Sequence, residues 1–161
     1  MSCDFAASYA LCRGRFDQEL ADLTDAQMQW RMYPGSLSIG EMALHLAGVE
    51  IWFIHQLNGQ PIPAKDHLRV SCATEGVVND NPFPIPTPEI TAVKVKEALA
   101  TARGLVDPVV SNPTDAQRAA TIQSALGPII DGTGALARIA FHPGYHHGQA
   151  YQMRMHPDFP A

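Results

Sequence analysis

Six prolines fall between residues 61 and 88, at Pro61, Pro63, Pro82, Pro84, Pro86 and Pro88. Each lacks a backbone N–H and holds its own φ near −65°, so the stretch supports neither a long helix nor a central strand. It divides the chain. On either side, apolar residues recur at three- and four-residue intervals, the period of a helix with one buried face. Neither side alone is long enough for a comfortable core. The stretch therefore reads as a long crossover inside a single domain over residues 1–161, not as a linker between two. A long crossover lets the two helices it joins run in the same direction.

Before the crossover, Phe5, Tyr9, Cys12, Phe16 and Leu20 mark a first amphipathic helix, with Cys12 as packing. Thr24 with Gln27 caps a short piece reaching Trp30, and Pro34-Gly35 forces a loop. Ser38-Ile39-Gly40-Glu41 is a capping box. The Ser hydroxyl accepts from an orphan backbone N–H and the Glu carboxylate reaches back to the cap. Met42, Leu46, Val49, Phe53 and Leu57 form the stripe of that helix, and Asn58-Gly59-Gln60-Pro61 stops it. After the crossover, Thr87-Pro88 predicts an N-cap with Pro at the first helical position. The helix it opens carries Ile90, Val93, Ala98, Leu99, Ala102 and Leu105 to about Asp107-Pro108. Residues 108–132 give no clear signal. A last helix runs from near Thr133 to Met155 and ends at His156-Pro157. Strand signal is weak throughout, so the expected fold class is all-α and the architecture a four-helix bundle. The two segments without helical period, 61–88 and 108–132, are expected to line a pocket.

Charge and cysteines narrow the function. With 11 Lys plus Arg against 16 Asp plus Glu, the net charge is −5. That disfavours nucleic acid and anionic membrane surfaces as partners, since both demand clustered positive charge. No apolar run approaches the roughly 20 residues of a membrane span. Asp4, Arg13 and Arg15 interrupt any early apolar stretch, so no signal peptide is expected. Cys3, Cys12 and Cys72 form no paired framework, which predicts reduced thiols and a cytoplasmic protein. Charged residues are only 17% of the chain, which leaves neutral surface for a homodimer contact.

Seven histidines are the compositional oddity. At roughly 100° per residue, His142 and His146 lie about 40° apart on the last helix. Ala135, Ile139, Ala150 and Met153 share their sector. His45 sits among Met42, Val49 and Trp52 on the second helix. Three imidazoles from two helices therefore aim inward. A single inward histidine is ordinarily a core residue with a polar partner. Three converging ones are costly to bury unpaired. A divalent ion that takes one lone pair from each removes that cost. A three-histidine set also leaves a position open for water or substrate, the arrangement of catalytic rather than structural zinc sites.

Around them, Glu41 is a candidate acceptor for the His45 ring N–H beyond its capping role. Gln149 is a candidate to orient a ligand, and Tyr145 a candidate proton donor. Trp30, Tyr33 and Trp52 are candidate pocket aromatics. His55 is expected to face solvent, His67 and His156 to lie in loop and tail, and His147 to sit on the surface or behind the site. Pro143 between the two last-helix histidines predicts a kink or bulge. The chain has no HExxH, no Glu-x-x-His, no CxxCH, no GxxxxGK[ST], no strict Rossmann GxGxxG and no GxSxG. These absences disfavour zincins, di-iron carboxylate bundles, c-type haem, P-loop and dinucleotide enzymes, and serine hydrolases.

Ser-Ile-Gly-Glu-Met-Ala-Leu-His-Leu-Ala at 38–47, preceded by Pro34-Gly35, resembles the second-helix motif of the DinB/YfiT-like superfamily. His142-Pro-Gly-Tyr-His146-His-Gly-Gln149 resembles its last-helix motif, HxxxHxGQ, with His147 where an Arg is common. The resemblance implies a metal triad at His45, His142 and His146, with Zn²⁺ or Ni²⁺ bound. It also implies a four-helix bundle in up-down-down-up order with the long crossover between helices 2 and 3, and frequent dimers. Members include thiol-dependent S-transferases and maleylpyruvate isomerases that use low-molecular-weight thiols. Two readings stay open. One is a metal-dependent enzyme acting on a small-molecule substrate, a thiol-dependent S-transferase or a hydrolase, with a low-molecular-weight thiol as co-substrate. The other is a non-catalytic metal- or small-ligand-binding helical bundle. No residue is singled out as a general base.

Overall fold

The computed structural model describes residues 4–161; Cys3 lies outside them. Helix α1 (Asp4–Leu20) buries Tyr9, Phe16 and Leu20 along one side, as their spacing requires. Helix α2 (Asp25–Gln29) opens on a reciprocal cap. The Thr24 hydroxyl accepts from the Gln27 N–H, and the Gln27 side chain accepts from the Thr24 N–H at 2.8 Å. Helix α3 (Ile39–Leu57) uses the same device at Ser38 and Glu41. It ends at Asn58, followed by Gly59 at φ +61°, the left-handed conformation that a helix stop favours and a side chain resists.

The crossover carries more structure than its prolines suggest. Residues 64–66 make one 3₁₀ turn, and helix α4 (His67–Ser71) follows in the proline-free interval after Pro63. Thr87-Pro88 opens only a second 3₁₀ turn, residues 87–89. The long helix α5 (Ala92–Ser111) starts instead at Thr91, whose hydroxyl accepts from the Lys94 N–H. The reason is tertiary. Ile90 is fully buried and extended, packed where a Cβ on Gly40 would come within 2.5 Å of it, so the chain turns there before the helix begins. Helix α5 also passes Pro108 and ends at Ser111, because Val109 and Val110 in that turn are core residues. Residues 108–132 hold a short helix α6 (Asp115–Ala119) and a two-stranded antiparallel hairpin, β1 (Thr121–Gln123) with β2 (Ile129–Asp131). Thr121 pairs with Asp131, and Asp131 then caps α7 (Gly132–Arg154) by accepting from the Gly134 N–H at 2.7 Å.

Helix α7 lies along α1 and α5 along α3, while α3 also meets α7. Helix α3 is touched by α2, α4, α5, α7 and β1, so it is covered on nearly every side. That corrects the expectation for His55, which is 8% exposed rather than solvent-facing. The stripe of apolar residues marks one face of α3, but a central helix has no outer face. No helix among the described residues is long and apolar enough to cross a membrane.

A buried charge ties the bundle together. Arg13 on α1 is fully buried, with Nε 3.2 Å from the Glu50 carboxylate of α3 and Nη2 donating to the Leu99 carbonyl of α5 at 2.7 Å. Its Nη1 pairs with Asp17. The Tyr9 hydroxyl donates to the same Glu50 oxygen at 3.0 Å. Burial pushes the Glu50 carboxyl up, and the Arg13 charge beside it pulls back. In the sequence Arg13 stands out only as a break in an early apolar stretch.

Gly48 decides where the crossover sits. A Cβ there would collide with the Arg69 carbonyl oxygen and lie 3.0 Å from the Ala73 nitrogen. Both are backbone atoms of the crossover, which cannot yield as a side chain tip can. Gly48→Ala is therefore expected to lower stability by about 1–3 kcal/mol through overpacking. Gly14→Ala, at a helical site with no atom within 4 Å of the new Cβ, is expected to raise it by about 0.5–1 kcal/mol. Urea unfolding of the two variants should move in opposite directions.

Candidate metal centre

His45 lies in the second turn of α3, and the Ser38 cap sets where that helix begins. The cap also occupies Glu41: one carboxylate oxygen accepts from the Ser38 N–H at 2.8 Å and the other pairs with Arg31. Glu41 is thus not the acceptor for His45. The His45 Nδ1–H donates instead to the Cys72 carbonyl oxygen at 3.2 Å, on the crossover that Gly48 admits. A proton on Nδ1 leaves the Nε2 lone pair free.

Helix α7 continues unbroken through Pro143, and the four-residue spacing of His142 and His146 keeps both rings on one side. The His146 Nδ1–H donates to Gln149 Oε1 at 2.7 Å. The Gln149 amide is oriented in turn by donating to the Tyr145 hydroxyl at 3.2 Å. His146 therefore also presents Nε2 as a lone pair. The His142 Nε2 lies between the other two, 3.3 Å from His45 Nε2 and 2.8 Å from His146 Nε2. One ring nitrogen from each residue falls within 4.8 Å of the others.

The arrangement is frustrated as a purely organic cluster. Two Nε2 lone pairs are already pointed at the meeting place. His142 can donate one proton to only one of them, and its buried Nδ1 has no hydrogen-bond partner. A cation at the meeting place would accept all three lone pairs at once, so the residues fit a divalent ion. Burial is the main force lowering the basicity of each ring. It depresses His45; it pushes His142 down to about 2, helped by His146 and His45; and it pushes His146 down to about 4, helped by His45. All three rings are neutral at pH 7, the state a ligand requires.

The rings open onto a cavity of about 1510 Å³. Its walls come from α3 and α7, from crossover residues such as Val70 and Val77, and from the hairpin turn at Gln123–Leu126. The two segments without helical period do line it, as expected. Tyr33 and Trp52 face it too, whereas Trp30 packs against His156 and Phe159 instead. His67 reaches the cavity wall, with Nε2 3.1 Å from the Ile62 carbonyl oxygen. His147 lies behind the site, 3.7 Å from a Glu19 carboxylate oxygen of α1. The sequence had no means of showing the Cys72 carbonyl, which is backbone brought in by the crossover. It also did not single out Arg138, one turn before His142 on α7 and part of the same wall; its four-residue spacing was the available signal.

A helical bundle with three converging imidazoles from two helices, two of them buried and the third half-buried, facing one cavity defines the class. The chain belongs to the DinB superfamily, whose family model matches residues 8–150. Its fold is similar to that of a conserved protein from Enterococcus faecalis known from a crystal structure, with a TM-score of 0.69 at 19% identity over 94% of this chain and 95% of that one. No curated protein matches the sequence.

The depressed basicities fix the sign of an acid effect. A histidine whose folded form resists protonation binds fewer protons than in the unfolded chain. Stability is then complete above the unfolded value of 6.5 and is lost as pH falls below it, towards about 4 for His146 and about 2 for His142. For metal-free protein, moving from pH 7 to pH 5 should cost about 2 kcal/mol for each such ring. Urea unfolding at the two pH values checks this. His142→Gln should remove about one ring's share of the difference.

Proposed function

We propose that this protein is a divalent-metal-dependent enzyme whose ion is held by His45, His142 and His146. The observation that supports it most is the convergence of three Nε2 atoms while the Cys72 carbonyl and Gln149 hold the Nδ1–H groups of two rings. A zinc or nickel ion bound by three imidazoles supplies a Lewis-acidic position that turns a thiol or a water into a nucleophile near neutral pH. The chain's own residues do the rest. Cys72 and Gln149 hold two rings in the ligating tautomer and orientation. The largely apolar walls leave few polar groups around the rings, which strengthens the charge interactions inside. Tyr145 presents a hydroxyl on the wall whose oxygen accepts from Gln149, leaving its proton for a leaving atom.

Of the two reactions open to such a site, transfer of a low-molecular-weight thiol to a small electrophile comes first. A cavity of about 1510 Å³ exceeds what a single small ligand fills, and a thiol transfer must seat two molecules together. Hydrolysis of one small substrate is the second reading.

Metal analysis of protein purified without a histidine tag should find close to one zinc or nickel ion per chain. His45→Ala and His142→Ala should each lose it, and Gln149→Leu should weaken binding by about 10–100-fold. Protein that stays empty after reconstitution with both metals would leave only a ligand-binding bundle. Metal-loaded protein incubated with a panel of cellular thiols and a simple electrophile should consume thiol in a metal-dependent way. Ester or amide cleavage without thiol consumption would assign the hydrolytic reading.

A further inference from the structure

Among the described residues, the cavity that holds the three rings is lined by one side chain with a permanent charge, and it is positive. Among the described residues no Asp or Glu belongs to its lining, and no other Arg or Lys does. Arg138 is half-buried on α7, four residues before His142 and eight before His146, so it stands on the same side of the helix as both. Its partner in the fold is neutral: Nη1 donates to the Ser124 hydroxyl oxygen at 2.6 Å. Five other arginines of this acidic chain are neutralised. Arg13, Arg31, Arg69, Arg103 and Arg154 each pair with a carboxylate. Among the described residues no carboxylate meets the Nε and Nη2 donors of Arg138.

Ser124 offers a second donor beside Arg138. It is 3% exposed and held in the hairpin turn, where its hydroxyl oxygen accepts from the Leu126 N–H at 3.2 Å as well as from Arg138. Both lone pairs are taken, so the hydroxyl has its own proton left to give. A guanidinium fork and a hydroxyl donor side by side match a planar anion. Much of the remaining wall is apolar, with Val49, Trp52, Val77 and Phe141 facing the same space.

We infer that the substrate is a monocarboxylate on an apolar body, its carboxylate held by Arg138 and Ser124. One guanidinium with no lysine beside it balances one negative charge, which favours a carboxylate over a phosphate dianion. The inference deepens the proposed function and rests on it only for what happens at the substrate's other end. There the reactive group reaches the three histidines while the acid end stays one turn away on α7.

The test is binding rather than turnover. Octanoate and phenylbutyrate, each against its neutral amide, are titrated into whole protein, metal-free and zinc-loaded, and followed by calorimetry. In both forms each acid should bind about tenfold or more tightly than its amide, the scale of one charge-assisted contact. Arg138→Gln should level acid and amide. Arg138→Lys should keep part of the preference, since it retains the charge and loses the fork. Thermal melting confirms that both variants fold. Equal binding of acid and amide, no binding of any probe, or a preference that survives Arg138→Gln overturns the inference. A preference seen only with zinc and indifferent to Arg138 puts the carboxylate on the ion: the inference falls and the metal reading stands. A preference that tracks Arg138 in protein that binds no metal leaves the inference standing and the metal reading fallen.

Discussion

Three imidazole nitrogens meet where α3 passes α7, and two of them cannot turn away. Their opposite nitrogens are tied, His45 to the Cys72 carbonyl and His146 to Gln149. Lone pairs held face to face in a buried place repel one another unless something positive lies between them. The rest of the molecule is arranged around this constraint. Gly48 lets the crossover backbone lie on α3, which brings the Cys72 carbonyl within reach. Asp131 starts α7 in the register that puts His142 and His146 opposite His45.

A site that holds neutral rings together is a cost to the fold, and the packing around it offsets that cost. Core residues gather both towards Ile39 and Ile90 and towards Phe53 and Val106. Arg13 links α1, α3 and α5 through Glu50 and Leu99. A buried ion pair of this kind contributes little net stability, since desolvation consumes most of the attraction. Its value here is positional. Removing either partner strands a charge, so the three helices are held at one spacing.

The regions with the least regular sequence do most to shape the cavity. Prolines keep much of the crossover from becoming a long helix, and the result is a wall with irregular side chains rather than a smooth helical face. The hairpin brings Ser124 against Arg138 from the other direction. A positively charged corner and a cluster of neutral donor nitrogens thus share one apolar space, and that combination, more than the fold, distinguishes this cavity.

Helix boundaries set by side chains next to them in sequence were legible in advance. The Thr24 and Ser38 caps and the stop after Leu57 depend on neighbours a few residues away, and they stand where the chain places them. The convergence of the three histidine rings was legible for the same reason, because the four-residue spacing of His142 and His146 is local and α3 presents His45 to the interior. Thr91 displaced Thr87 as the cap of α5 because Ile90 is held in the core by α2 and α3, a contact between segments far apart in sequence. His55 is buried because α3 is surrounded, which no stripe on α3 itself can show. The hairpin, the Cys72 carbonyl and the Arg138 corner likewise exist only once distant segments pack. Local hydrogen bonding and periodicity are written residue by residue; which backbone oxygen faces a ring, and which charge lacks a partner, is decided by the closing of the bundle.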